Sequence, residues 1–185
     1  MSTLKVNNIT DLGDDAVVTS GVLDTLAVPT GGILQVVSTA KTDPFTTTSL
    51  TFTPITGLSA SITPTSTSSK IMVFVDLKAT VNASDTNSGL FRLVRASTPI
   101  YLGDSAGSRL QVSALSGSTT SSRNTSSVVM NFLDSPATTS ATTYSVEVRS
   151  ADTGKSVFVN RTLSDDNDSQ TGRTAISITL MEVAG

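Results

Sequence analysis

Hydrophobic and polar residues alternate with a period of two along much of the chain. The clearest case spans residues 70–82, where every second residue is apolar. The apolar series consists of Ile71, Val73, Val75, Leu77, Ala79 and Val81. Strict alternation over a dozen residues predicts a half-buried strand with this series in the core. The opposite side is apolar at Met72 and Phe74 and polar beyond them, so we expect another element to cover one end of it.

Shorter segments with the same alternation follow one another from residue 33 onward. These predicted strands are 33–40, 50–53, 58–63, 90–96, 100–102, 128–133, 143–150, 157–161 and 174–183. Pro54 and Gly57 predict a turn between the second and third of them. Residues 152–155 predict a tight turn that joins the strands on either side of it as a hairpin. Eight to ten short strands, with no helical pattern after residue 30, predict an all-β sandwich or jelly roll.

Residues 1–30 differ from the rest of the chain. Short apolar pairs alternate there with Asn, Asp and Gly, and residues 29–32 close the stretch as a turn or linker. We therefore predict an extended N-terminal arm, 1–30, followed by an antiparallel β-sandwich domain, 31–185. A short coiled coil is the alternative for the arm, because five positions have the four-three spacing of a heptad seam. Those positions are Leu12, Ala16, Thr19, Leu23 and Leu26.

Composition removes several classes of function. The 185 residues include no Cys and no His, which excludes disulfides, thiolate metal sites, a Cys nucleophile and a Ser-His triad. Twelve basic and fifteen acidic residues are scattered, without the basic stripe that nucleic-acid binding requires. No apolar run approaches the length of a membrane helix. We therefore predict a protein that is not an enzyme and has no cofactor, no metal, no nucleic-acid partner and no membrane partner.

The small number of aromatic residues bears on assembly. Aromatics make up only 4% of the chain, with six Phe, two Tyr and no Trp. Because large side chains supply much of the apolar area in a core, we expect a single copy to build a modest core. Burial against other copies of the chain would then contribute to stability.

Three polar features are candidates for chemistry. Residues 164–168 form the densest acidic stretch, and Ca²⁺ prefers such oxygens, but the spacing lacks the distal Glu of a calcium loop, so a solvated loop is the preferred interpretation. Glu147 and Glu182, the two Glu residues of the chain, could form a glycosidase pair, but both are expected to face outward on strands. Arg92 and Arg95 are expected to limit aggregation at a strand edge, with an ion pair to a partner chain as the alternative.

Several stretches resemble a group of phage structural proteins that is common among marine and cyanobacterial phages. The opening residues, 1–7, are similar to the start of virion-anchored fibre proteins. The other stretches that carry the resemblance are 32–37, 45–48, 62–64 with 68–71, 132–136 with 143–144, and 178–185. Together they span most of the chain, and none of them is a catalytic motif.

The resemblance implies a jelly-roll-like head domain on a short anchor, often assembled as a homotrimer. It implies phage capsid or tail proteins as partners, and a location in the virion after assembly in the host cytoplasm. Because no shaft separates arm and head, a capsid decoration or short head or tail fibre fits the chain. The docking candidates are Leu4, Val6 and Ile9, apolar side chains in an otherwise polar arm. The alternative is a module that recognises a host surface glycan or protein through loops 103–127 and 162–173.

Overall fold

The computed structural model describes the backbone of residues 8–10, 16–19 and 22–23, and describes residues 28–82, 88–117 and 121–185 in full. Every regular element in these residues is a β-strand, and they contain no helix long and apolar enough to cross a membrane. A small antiparallel sheet near the N-terminus contains β1 (Asn8–Thr10), β2 (Ala16–Thr19) and β3 (Val22–Leu23). Strands are extended, so the coiled-coil alternative is wrong for the described part of the arm.

Eleven further strands build a two-layered domain from the described residues after Gly32. They are β4 (Ile33–Lys41), β5 (Phe45–Thr47), β6 (Thr53–Ile62), β7 (Lys70–Val81), β8 (Gly89–Arg95), β9 (Thr98–Ile100), β10 (Ala114–Ser116), β11 (Ser126–Asp134), β12 (Thr142–Ser150), β13 (Val157–Val159) and β14 (Ile176–Val183). One sheet has the order β4-β14-β7-β11, and the other has the order β6-β12-β8-β10.

Three positions in these sheets are shared by two short strands placed end to end. β14 pairs with the first half of β7 and β13 with its last residues, while β11 occupies the opposite edge of β7. β5 continues β4 beside β13, and β9 and β10 share one edge of β8. Each such pair occupies one strand position in its sheet. We call a strand position, filled by one strand or by two strands end to end, a lane, so each sheet has four lanes.

The eight lanes follow the jelly-roll order. In chain order, the first lane pairs with the eighth, the second with the seventh, the third with the sixth and the fourth with the fifth, and all these pairs are antiparallel. A ribbon paired in this way and wound over two sheets is a jelly roll. The predicted all-β, jelly-roll-like antiparallel sandwich is therefore confirmed. The last strand, β14, lies between β4 and β7, away from the edges of its sheet.

The core lies between the two sheets and is built mainly by alternating strand residues. All six apolar residues that the pattern assigned to the inner side of β7 are at most 1% exposed. Tyr144 and Phe91 from the second sheet are the largest side chains buried against them. At about 25 cal/mol per Å² of apolar surface removed from water, this burial is the main force that holds the sheets together.

One turn prediction is wrong, and another is right about the turn but wrong about the hairpin. Pro54 and Gly57 lie inside β6, an outer lane whose edge faces no neighbour among the described residues, where a proline costs no ladder hydrogen bond. The turn at 152–155 exists, with Gly154 at φ 70°, but it does not form a hairpin. It carries the chain from β12 in one sheet to β13 in the other. Both strands bury alternate apolar residues, so either arrangement satisfies the sequence pattern.

Asn160 sits where the chain leaves the β13 lane before returning as β14. Its φ of 65° is left-handed, which Asn tolerates better than most residues, and its side chain is fully buried. The side-chain amide donates to the carbonyl oxygens of Lys41 at 2.8 Å and Asp43 at 3.2 Å. Asn160 therefore links the segment between β4 and β5 to the segment between β13 and β14. Residues 161–173 form a loop between these strands. At its base, the backbones of Arg161 and Arg173 pair in an isolated antiparallel β-bridge.

Candidate interaction surfaces

The two ends of the sandwich carry different parts of the chain. At one end, here called the proximal end, the arm enters β4 beside the C-terminus. The amide of Gly31 donates to the carbonyl of Ala184 at 2.8 Å, and the amide of Ala184 donates to the carbonyl of Gly32 at 2.8 Å. The opposite, distal end carries the connections that follow β7, β10, β12 and β13. Arm and distal loops are therefore separated by the length of the strands.

The structure brings together parts of the two loops that the sequence singled out for recognition. Arg123, from the first loop, donates to the side-chain oxygen of Gln170 at 2.5 Å and lies 3.3 Å from a carboxylate oxygen of Asp168. The amide of Ser164 donates to the carbonyl of Ser122 at 2.9 Å. Residues 121–123 and 164–170 thus form one surface at the distal end, which we call the distal loop cluster.

Two of the three carboxylates in the acidic stretch of this cluster, those of Asp165 and Asp168, pair with arginine. Asp165 accepts hydrogen bonds from two guanidinium nitrogens of Arg173, at 2.8 and 2.7 Å, and lies 3.3 Å from Arg161. Asp166 accepts from the hydroxyl of Ser164 at 2.6 Å. The described residues contain no group of three or more acidic side chains placed to hold a metal ion. Asp165 uses both carboxylate oxygens in its bidentate pair with Arg173, whereas Asp168 has a single contact with Arg123.

The two Glu residues lie on different sheets and have different surroundings. Glu147 faces outward from β12, directly opposite Arg92 on β8, with 3.1 Å between Oε2 and Nη2. Glu182 was expected to face outward as well, and this is wrong: it is fully buried on the inner side of β14. A glycosidase needs two carboxyl groups on either side of one bond, which residues on separate sheets and opposite faces do not provide.

Hydrogen bonds hold Glu182 in its charged form. Burial disfavours the carboxylate, but the side chains of Gln35 and Thr65 and the amide of Thr65 donate to it at 2.5, 2.7 and 2.7 Å. Their combined effect outweighs the burial and lowers the pKa of Glu182 to about 2. The carboxylate thereby fastens β14 to β4 and to the β6–β7 connection at the proximal end.

Both candidate arginines are paired within the chain. β8 has neighbours on both edges, so neither residue guards a free strand edge, and that expectation is wrong. Arg92 stacks on Phe52 with its guanidinium carbon 3.6 Å from the ring centroid, in addition to its ion pair with Glu147. Arg95 donates to both carboxylate oxygens of Asp134, at 2.8 and 2.9 Å. The alternative, in which one of them pairs with a partner chain, is not needed to satisfy either charge.

Asp134 and Tyr144 form a buried polar pair that the sequence analysis missed. The Tyr144 hydroxyl donates to Oδ2 of Asp134 at 2.6 Å, beside Arg95. Burial, followed by the hydrogen bond to Asp134 and its negative charge, raises the pKa of Tyr144 well above its ordinary value. Because Asp134 ends a strand of one sheet and Arg95 and Tyr144 belong to the other, the three side chains join the two sheets at the proximal end. Their positions in the sequence gave no indication of this contact.

A shallow apolar cleft lies beside the second sheet. Its volume is about 380 Å³, and its lining includes Leu90, Leu110, Leu115 and the rim residue Arg109. The segment that forms its outer wall is closed by a hydrogen bond from the amide of Gly103 to the carbonyl of Val112 at 3.1 Å. The cleft therefore depends on the first half of the predicted recognition loop 103–127.

The predicted docking residues fall in the arm. Leu4 and Val6 lie outside the described residues. Ile9 belongs to β1, where its backbone pairs with Val18 of β2. The docking assignment for these three residues stays a prediction.

The fold and surfaces together define an all-β jelly-roll domain with a chain entry at one end and a loop surface at the other. No family model matches the sequence, and the search of curated proteins found no match. One similar solved structure is that of infectious bursal disease virus, Gx strain: the likeness covers 83% of this chain and 43% of that chain, with 11% identity and a TM-score of 0.35. This chain thus spans less than half the length of that solved chain.

Proposed function

We propose that the chain is a structural, non-enzymatic subunit of a bacteriophage virion, held on the capsid or tail by its N-terminal arm. The observation that carries the proposal is the separation of the two ends. The arm joins the sandwich at the proximal end, so a domain attached through it directs the distal loop cluster outward. The resemblance of residues 1–7 and of most later strands to phage structural proteins supports the virion as the location.

The pairing of the acidic side chains supports a role without catalysis. Glu147, Glu182 and Asp165 are each engaged by hydrogen bonds or ion pairs within the chain. A general acid or nucleophile needs a carboxyl group that can reach a substrate. Each of these carboxylates instead holds two segments of the sandwich or its loops together.

The proposal also has the domain act as an oligomer. The resemblance implies a homotrimer, with phage capsid or tail proteins as further partners. Exposed apolar side chains on the outer face of the first sheet support self-association, because soluble domains rarely leave large apolar patches uncovered.

Deleting residues 1–28 should abolish incorporation into particles. The phage that encodes the chain would be grown on cells that express a tagged copy, and gradient-purified particles would be probed for the tag. We expect the full-length chain in the particles and the truncated chain only at background. The truncated domain should keep its thermal midpoint, because every strand from β4 onward finds its ladder partners after residue 28. Truncated protein in the particles at the full-length level would refute attachment through the arm.

A finer test addresses the three docking candidates. Replacing Leu4, Val6 and Ile9 together by Ser removes the apolar side chains and should reduce incorporation as strongly as the deletion. The matched control replaces the interleaved polar residues Lys5 and Asn7 by Ser and should leave incorporation unchanged. Equal incorporation of both variants would show that apolar burial by these residues does not hold the arm.

The second candidate function is recognition of a host surface glycan or protein. It is favoured by the distal loop cluster, in which two separate loops form one surface at the end away from the arm. Removing residues 164–172 and joining the flanks with two glycines should abolish binding of the purified domain to host cells. A matched shortening of the proximal connection at residues 137–140 should not affect binding. Binding that survives the distal deletion, or no binding by the intact domain, would exclude this function.

A further inference from the structure

The outer face of the β4-β14-β7-β11 sheet carries a row of apolar side chains from one edge to the other. Val36, Met181, Met72 and Leu133 are directly opposite one another in the ladders of the four strands. Phe74 projects from the next position on the same side of β7. We call these five residues the apolar band.

The apolar band is left open to solvent in a single copy. Val36 is 55% exposed, Leu133 is 41% exposed and Phe74 is 38% exposed. Phe74 is the most exposed of the six Phe residues. The sequence predicts that another element covers one end of this side of β7. Thr80 is fully buried, so the covered end is the polar one. None of the residues that the structure describes covers the apolar end, where cover would gain most free energy.

The size of this face suits association between proteins. Four strands about 4.8 Å apart span roughly 19 Å, and the uncovered residues 70–76 of β7 extend for about 23 Å. The product, about 440 Å² per partner, is at the small end of specific interfaces, as expected of a dimer that dissociates on dilution. Met and Phe are also among the residues enriched at such interfaces, and the flexible Met side chains adapt to an opposing surface.

The charges on this side of β7 indicate which partner fits. The outward residues in the uncovered part of β7 are, in order, Lys70, Met72, Phe74 and Asp76, and Lys78 follows them and pairs with Asp76. Reversing the strand direction of a second copy places Lys70 opposite Asp76, and Met72 opposite Phe74. The same contacts recur by symmetry, as in an isologous two-fold interface. The surface is therefore complementary to itself.

Both charged groups are able to make the new contact. Lys70 is exposed and forms no ion pair with any described residue. Asp76 lies 2.5 Å from Lys78 of its own chain, but its side chain is 60% exposed. A carboxylate has two oxygens and can accept from a second ammonium group.

We propose that a second copy of this chain covers the apolar band, face to face and with antiparallel β7 strands, in a two-fold dimer. This inference deepens the self-association in the proposed function and rests on it, but replaces the implied threefold arrangement with a two-fold one. Sheets that pack face to face in an aligned manner keep their strands within about 30° of one axis, which such a pair satisfies. The partner is thus identified by shape, apolar surface and charge order.

Light scattering after size-exclusion chromatography of the full chain tests the dimer. We expect a mass of twice 19.1 kDa that falls to the single-chain value on dilution. Phe74→Lys should weaken the dimer by roughly 30-fold or more, because it places a charge at the centre of the interface. The matched control is Leu115→Lys, which changes an apolar residue on the other sheet that is 56% exposed, against 38% for Phe74, and should have no effect. Both positions are exposed, so folding is preserved, and circular dichroism checks it.

A charge exchange tests the two-fold geometry itself. Lys70→Asp should weaken the dimer several-fold, because two carboxylates then face each other at each of two symmetric positions. Adding Asp76→Lys in the same chain should restore association, whereas Lys155→Asp, the same change in a distal turn, should leave it unaltered. A single-chain mass at every concentration, a mass three times 19.1 kDa, or no rescue by the exchange would each overturn the proposal. Incorporation into particles is measured separately, so failure here leaves the virion assignment intact.

Discussion

Glu182 illustrates how strand parity decides the surroundings of a single residue. It has the same parity as Ile178 and Leu180, which the alternating pattern places together on one face. Parity alone therefore points Glu182 inward, and its charge suggested the opposite. The inward position is tolerated because Gln35 and Thr65, 147 and 117 positions away, supply hydrogen bonds. No local pattern reveals partners at such separations, so the buried network could not be predicted.

Acid should destabilise the domain through Glu182. Its folded pKa of about 2 lies below the ordinary 4.5, so its stabilising contribution is complete above pH 4.5 and is lost as the pH falls toward 2. The shift from 4.5 to about 2 corresponds to at most about 3 to 4 kcal/mol. Urea unfolding at pH 7 and pH 3 would measure the loss.

The variant Glu182→Gln isolates this contribution. The neutral amide cannot accept all the donors that the carboxylate accepts, so the free energy of unfolding at pH 7 should fall by about 2 kcal/mol. The difference between pH 7 and pH 3 should shrink at the same time. Glu147→Gln is the matched control on the outer face, where a partly exposed pair should contribute less than about 1 kcal/mol. An unchanged pH dependence in the Glu182 variant would rule out this network as its source.

At the level of elements, β6 departs most from its sequence pattern. Ile55 and Leu58 are both buried although they are three positions apart, which a regular strand does not allow. The register shifts where β6 faces residues 145–147 of β12, and Gly57 takes a φ of 82° there. The bulge turns both apolar side chains inward. The sequence predicts a turn at Pro54 and Gly57 because bulges and turns use the same residue types.

Gly57→Ala tests whether the backbone conformation is the requirement at this bulge. A Cβ on Gly57 would approach no atom closer than 3.8 Å, so the cost is conformational rather than steric. We expect a loss of about 1 kcal/mol in unfolding free energy. Gly103→Ala is the control, because its φ is not left-handed and its Cβ would also meet nothing closer than 3.8 Å. Equal effects of the two substitutions would contradict the role given to the bulge.

At the level of the whole molecule, local patterns predict the strands but not their partners. The alternation in β7, β12 and β14 predicts both their extent and their buried faces, because each has one side in the core. The error at residues 152–155 concerns pairing, since a turn inside one sheet and a turn between sheets have the same local sequence. The contact between residues 121–123 and residues 164–170 likewise depends on how the paired strands wind over the two sheets. The order of the lanes is set by contacts between residues that are far apart in the sequence, so it could not be predicted from one sequence.

The contact between the first and last lanes also affects how the protein is made. β4 ends at Lys41 and leaves the ribosome well before its neighbour β14, which begins at Ile176. Until β14 has emerged, β4 and one edge of β7 have unpaired backbone groups that can join strands of another nascent chain. The sandwich therefore cannot be completed before β14 is made. Close spacing of ribosomes on one messenger would then favour misassembly, and slow or well-separated translation would favour the native sandwich.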